Sequence, residues 1–392
     1  MLFQILDSKE ECHGIFYNGK IIKDYDQSML TKTWAPTDNF LHDNIQYAQV
    51  WVGGKSLDEI CPEHVKGDWD EINKKARALM RSIKTSKINL DDICFYDTIP
   101  TQFLIDFYGI REQIIEWAFA NYQKPDNHDL MRDLTIMLRK INKQSLNLQY
   151  GKLNFHDPKV RNSFPKIKNS PRSISYCPWK TVTGRLATKA NSFPILTLNR
   201  ELRNVITPKN DLLVELDYNS AELRAFMGLM GEQQPTNDLH SWIAKDVFSS
   251  KYSREQTKKK VFAWLYNPKA SNKRLNDRFN RALALEKYYV NGYVKTPYNR
   301  QIEVDNSKAL NYLIQSTASD LFLTSMIKID KFLKNRKSFV SFCVHDSLVL
   351  DIVKEDKDII TELVSIFSNT KLGQFKTNIS IGLDYGNMKR LS

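Results

Sequence analysis

The chain has 392 residues, 42% of them hydrophobic, which is enough for a large core and for two or three domains. Lys plus Arg outnumber Asp plus Glu by 57 to 45, giving a net charge of +12 and a pI near 9.2, so a polyanionic partner is expected, either nucleic acid or an anionic membrane surface. No apolar run approaches 18 residues and no leader is evident, so no membrane association and a cytoplasmic location are expected (host cytoplasm if the source is a phage). The five cysteines, Cys12, Cys61, Cys94, Cys177 and Cys343, form no C-x-x-C pair, which argues against a disulfide framework or a zinc ribbon. Cys61 and His64 have ligand-like spacing, but no second pair completes a site.

In chain order, residues 1–65 form a β-rich segment. Phe3-Gln4-Ile5-Leu6 and Gly14-Ile15-Phe16-Tyr17 are short apolar runs, and Asn18-Gly19 is a hairpin signal before Ile21-Ile22. Gly53-Gly54-Lys55-Ser56 mimics the end of a phosphate loop, but the first glycine of that motif is replaced by Gln49. Residues 66–175 form a helical region and a basic connector. Asp70 to Ile83, Pro100 to Tyr122 and Asp129 to Leu148 carry apolar residues at helical spacing. Residues 153–182 are rich in Pro, Ser, Asn and Lys and predict an extended basic segment carrying Lys159, Arg161, Lys166, Lys168 and Arg172, either solvated or tracking a phosphate backbone. Residues 176–392 form a third segment, in which strands and helices alternate without the repeating unit of a parallel α/β fold.

Three motifs in that segment carry chemistry. Leu212 to Leu216 is an apolar strand ending in Asp217. Phe339 to Val344 and Leu348 to Ile352 are apolar strands around His345-Asp346-Ser347, as in a tight hairpin. A lone Asp at a strand end is most often a cap or a turn residue. Two of them could instead share Mg²⁺, which takes oxygen ligands from one or two carboxylates plus phosphates. The third motif is Arg254, Lys258, Phe262 and Tyr266, whose spacing of four aligns them along one helix face over roughly 18 Å. A triphosphate could lie along the cations while its base meets the rings; an amphipathic helix with solvated charges would read the same way.

Together these residues resemble the polymerase motifs of the family-A DNA polymerases, in the family's order. D-Y-S-Q-I-E-L-R is matched at Asp217, Tyr218, Glu222, Leu223 and Arg224; R-x3-K-x3-F-x3-Y-G at all positions but Asn267; and V-H-D-E at Val344, His345 and Asp346, with Ser347 in place of Glu. Asn267 is a mild departure, since Asn tolerates a left-handed helix end. Thr183-Gly184-Arg185-Leu186, Gly292 to Thr296 and Asn311-x3-Gln315-Ser316-Thr317-Ala318 extend the similarity, which covers about residues 175–392.

The resemblance implies an α+β right-hand polymerase fold with an antiparallel-sheet palm, helical fingers at about 225–295 and a helical thumb. It implies a template-directed, primer-dependent DNA polymerase acting on primer–template DNA and dNTPs with two Mg²⁺ ions. Asp217, Asp346 and the Tyr218 carbonyl would hold the metal. Arg254 and Lys258 would neutralise the triphosphate, with Lys258 as proton donor to the leaving pyrophosphate. Phe262, Tyr266 and Glu222 would shape the nucleotide site. Arg185, Asn311, Gln315 and His345 would touch the DNA. The intervals from Asp217 to Arg254 and from Arg254 to Gln315 are shorter than in the family, so a compact form is expected. No D-x-E occurs in residues 1–150, so proofreading is not expected, and residues 1–65 are free to bind a replication accessory protein. Two alternatives remain: a single-subunit phage-type RNA polymerase, favoured by Ser347 and opposed by Glu222, and an inactive polymerase-like nucleic-acid binder.

Overall fold

The computed structural model describes residues 3–6, 12–24, 26, 30–37, 41, 44–88, 95–267 and 269–391. Cys94 lies outside them, as do several positions of the N-terminal segment. The chain divides into two compact units, residues 1–140 and 141–392.

The first unit opens with β1 (Phe3–Leu6), β2 (Cys12–Tyr17) and β3 (Lys20–Ile22), an antiparallel sheet in that order. Asn18 and Gly19 take positive φ in the turn between β2 and β3, as the Asn-Gly pair predicts. Helices α1 (Glu63–Thr85), α2 (Thr101–Asn121) and α3 (His128–Lys143) follow. Val65, Trp69 and Ile72 recur at helical spacing and form the buried face of α1. Phe16 is buried in one cluster with Leu104, Tyr108 and Ile115 of α2. The β-rich opening and the helices therefore share a core. The glycine-rich stretch at Gly53-Gly54 is a turn, and Ser56 caps the short helix Leu57–Ile60.

Two expectations need correcting at the start of the second unit. The pattern expected as helix up to Leu148 stops at Lys143; Asn147–Leu148 pairs instead with Ile206–Thr207. The connector 153–182, expected to be extended, contains helix α4 (Pro158–Lys168). Asp157 caps it by accepting from the Lys159 amide at 2.8 Å, Pro158 occupies the first turn where its missing N–H costs nothing, and Val160 and Ile167 are buried. Pro165 inside the helix is what hides it from a sequence reading.

The rest of the unit is built on β4 (Leu212–Tyr218), α5 (Ala221–Leu229), α6 (Leu239–Asp246), α7 (Arg254–Tyr266), α8 (Asn306–Phe332), β5 (Phe339–Val344), β6 (Ser347–Ile352), α9 (Ile360–Ser368), β7 (Thr377–Gly382) and β8 (Lys389–Arg390). The sheet order is β5-β6-β4-β7-β8, with antiparallel neighbours throughout. This bears out an α+β class with an antiparallel sheet. Strand β4 is central, so its apolar residues Leu213, Val214 and Leu216 are fully buried. Leu223 and Phe226 of α5, Ile243 of α6, Val261 and Trp264 of α7 and Leu313 of α8 share one core, which fixes the helical layer that faces the sheet end. No described helix is long and apolar enough to cross a membrane.

Candidate active site

A cleft opens at the end of the central strands, and its wall is assembled from distant parts of the chain: Arg185, Asp217, Tyr218, Glu222, Arg254, Lys258, Phe262, Gln315, His345 and Asp346 all line it. These are ten of the twelve residues to which the resemblance gives a site role. The other two lie just behind the wall. Tyr266 stacks on Phe262 with ring centres 5.8 Å apart and donates its hydroxyl to Glu222, and Asn311 donates to the Tyr266 carbonyl at 3.3 Å.

The acidic end is set by the sheet. Asp217 stands opposite Ser347 in the β4–β6 register, and Asp346 sits in the two-residue turn between β5 and β6. His345, beside it, adopts φ +57°, and Ser220 adopts φ +60° where β4 gives way to α5. Left-handed backbone at a non-glycine residue costs on the order of 1 kcal/mol or more and collects at functional sites. Here both bends bring polar side chains back over the strand ends. Burial is the main reason that the Asp217 carboxyl is pushed up to about 6; the amide of Asn378, donating at 3.0 Å, opposes this, and the charges of Asp346 and Glu215 reinforce it. Tyr176 is fully buried and binds both the N–H and the C=O of Cys343, which fixes β5 just before the turn.

The cationic end is set by α7. Ser253 and Gln256 form a reciprocal capping box that starts the helix at Arg254. Arg254 forks onto Asp238 with two contacts of 3.0 Å. Burial raises the Asp238 carboxyl, but the bonds from Arg254, Asn219 and Ser241 outweigh it and hold the group far below the usual carboxylate range. His240, also on the cleft wall, is buried against Phe262, and desolvation pushes it down to about 4, so it is neutral at pH 7. Glu222 joins the two ends by accepting from Arg185 on one oxygen and from Tyr266 on the other. Arg224, matched in the same motif, does not reach the cleft. It is completely buried and binds the carbonyls of Asn219, Pro235 and Asn237, which fastens the loop before α6. Asn267 is extended (φ −99°, ψ 109°), so the left-handed helix end expected there is not used.

Sequence reasoning missed Asp238, His240, Asn219 and Asn378. Asp238 alone left a trace, as an N-cap residue three positions before Ser241. Gly184 of the T-G-R-L stretch has φ +75°, and the Arg300 guanidinium lies where a Cβ would project; Arg300 is in turn paired with the buried Asp320 at 2.7 Å.

The donor set fits a hard divalent cation. Asp217, Asp346 and the Tyr218 backbone offer oxygens, whereas the Cys343 thiol is pushed up to about 12 by burial and stays protonated. Among the described residues, no three His, Cys, Asp or Glu side chains gather closely enough to hold a metal by themselves. One or two carboxylates completed by substrate phosphates is the usual arrangement for Mg²⁺.

In this cleft an acidic sheet end faces a row of cations and rings. The family model for DNA polymerase family A matches residues 276–388. DNA polymerase I of Caldicellulosiruptor bescii is 27% identical over 237 residues, which is 47% of this chain and 28% of that one. DNA polymerase I of Lactococcus lactis subsp. lactis is 25% identical over 292 residues, 60% and 33% of the two chains, and a DNA polymerase of Mycobacterium phage D29 is 25% identical over 180 residues, 37% and 29%. The matched stretches thus span about a third of the length of these relatives. The polymerase domain of Pol1 from M. smegmatis, solved with DNA primer–template and dNTP, has the same fold over 73% of this chain and 76% of its own, with a TM-score of 0.55 at 15% identity. Over these stretches the chain is similar to family-A DNA polymerases, the family its motifs resemble.

Proposed function

We propose that the chain is a template-directed, primer-dependent DNA polymerase that adds dNTPs to a primer 3′ end. The observation that carries this reading is the convergence of Asp217, Asp346, Arg254, Lys258, Phe262, Gln315 and His345, spread over more than a hundred residues, on one cleft wall. In this reading the sheet with its acidic end is the palm, the helices around α7 are the fingers, and a helical thumb lies within residues 66–175.

The reaction is an in-line attack of the primer hydroxyl on the α-phosphorus of a dNTP. Asp217 and Asp346, with the Tyr218 carbonyl, would hold two Mg²⁺ ions. When bound, such ions stabilise charge on the attacking and leaving oxygens. Arg254 and Lys258 neutralise the triphosphate, and Lys258 gives a proton to the leaving pyrophosphate. Asp238 keeps the Arg254 guanidinium aimed along the helix row. The neutral His240 adds no charge and packs the Phe262 ring from behind. Phe262 meets the incoming sugar and base, and Tyr266 closes the insertion site through Glu222. Arg185, Asn311, Gln315 and His345 contact the primer–template end by shape rather than by base identity, because every correct pair must be accepted.

Primer extension with dNTPs and with NTPs, each with and without Mg²⁺, tests the proposal. Mg²⁺-dependent extension with dNTPs is expected. A preference for NTPs would establish an RNA polymerase, and duplex binding without extension would establish an inactive binder.

A further inference from the structure

The acidic end of the cleft holds a carboxylate that none of the motifs names. Side chains alternate along a strand, so Glu215 and Asp217 share one face of β4. Ser347 stands opposite Asp217 in the β4–β6 register, on that same face, and donates its hydroxyl to Glu215 Oε1 at 2.6 Å. Residues 344–346 match V-H-D of the V-H-D-E motif, whose fourth position is Glu and is here Ser347. A glutamate at 347 would project from β6 beside Asp217. The short serine leaves that space open, and a carboxylate enters it from the neighbouring strand.

Neither Glu215 nor Ser347 is on the cleft wall; the Ser347 hydroxyl holds the Glu215 carboxylate on the same strand face as Asp217, which is on the wall.

We propose that Glu215 is the third acidic group of the cation end of this cleft, a positioning residue that, held in place by the Ser347 hydroxyl, supplies from β4 the charge that an acid at position 347 would otherwise bring. The inference rests on the polymerase reading of the site, and its test is independent of turnover.

The test is titration of the full-length protein with Mn²⁺, followed by paramagnetic resonance or calorimetry, with primer–template and a non-hydrolysable dNTP present. Glu215→Gln keeps the shape and removes the charge, and should raise the Mn²⁺ dissociation constant at least threefold. Glu215→Ser should do the same. The exchange variant Glu215→Ser/Ser347→Glu should return the constant to within about twofold of the parent. An unchanged constant in Glu215→Gln, or an exchange variant that binds no better than Glu215→Ser, overturns the proposal. Should Glu215→Ser fail to fold, the isosteric Gln variant decides alone. Extension assays run in parallel keep the two readings apart: a parent protein that does not extend primers refutes the polymerase reading, while the Mn²⁺ constants still decide the role of Glu215.

Discussion

The two ends of the cleft handle carboxylates in opposite ways. At the helix end, Asp238 is clamped by the Arg254 guanidinium, the Asn219 amide and the Ser241 backbone, and it is held ionised. At the sheet end, Asp217 has the Asn378 amide as its hydrogen-bond donor and two like charges nearby, and its carboxyl is pushed up to about 6. A paired carboxylate is held as structure, whereas a largely buried carboxylate beside other acids is unfavourable until a cation or proton joins it. On the proposed function, Asp238 shapes the cleft and Asp217 takes part in its chemistry.

The largest effect should come from the sheet end. Asp217→Ala or Asp346→Ala is expected to lower primer extension by a hundredfold or more, about 2.7 kcal/mol of barrier, while duplex affinity in a gel-shift or anisotropy assay stays within a few-fold. Residual activity above a few per cent in either variant sinks the assignment.

The helix end should respond in stability. Asp238→Asn retains a capping side chain but discards the charge that Arg254 grips, and should cost about 2 kcal/mol in urea unfolding at pH 7. The sign follows from the depressed carboxyl. Its contribution is fully present above the unfolded-state value near 4 and is lost as pH falls toward the folded-state value. Parent and variant should therefore converge on acidification below about pH 4. A difference that stays constant with pH would assign the effect to packing instead.

How much of this was legible in the sequence depended on locality. The helical row of α7 was legible, because the spacing from Arg254 to Tyr266 is one uninterrupted period; its capping box at Ser253 and Gln256 was not read. The hairpin that carries Asp346 was equally plain, since two apolar strands leave a polar step between them. Helix α4 was hidden by Pro165. Asn378 lies 161 residues from the Asp217 that it binds, and Asp238 lies 16 from Arg254, so no local period could report either pairing. Ser347 is hidden for the same reason: it stands out as a departure from a motif until its hydroxyl is found donating to Glu215, 132 residues away.

Glu222 bridges the two ends and tests sugar choice. Its carboxylate is held on the cleft wall by Arg185 and Tyr266; on the proposed function an incoming C2′ lies beside it. Glu222→Ala should raise ribonucleotide relative to deoxyribonucleotide incorporation by roughly tenfold, about 1.4 kcal/mol of lost discrimination, read as the ratio of kcat/KM for one dNTP and its NTP. If the carboxylate only ties Arg185 to Tyr266, both substrates should suffer equally and the ratio should not move.

The smallest expected effect is the most direct measure of the contrast between the two carboxylates. A carboxyl whose folded-state value is about 6 binds a proton more tightly in the fold than in the unfolded chain, where the ordinary value is near 4. Relative to the unfolded state, the fold therefore loses stability as pH rises through this window, and above pH 6 the full cost of the charged Asp217 is present. Asp217→Asn removes that charge and keeps an oxygen for the Asn378 amide. Without divalent cation at pH 7.5, the Asn variant should be more stable than the parent by about 1 kcal/mol, a rise in Tm of roughly 2–4 °C, with the figure kept low because the side chain is partly solvated. At pH 4 the two should melt together. Millimolar Mg²⁺ should reverse the order at pH 7.5, since the cation binds the folded parent through the carboxylate that the variant lacks. Melting curves at the two pH values, with EDTA or with Mg²⁺, decide the matter. A variant that is less stable than the parent at pH 7.5 in EDTA would mean that Asp217 is a satisfied structural group like Asp238, and the distinction between the two ends would collapse.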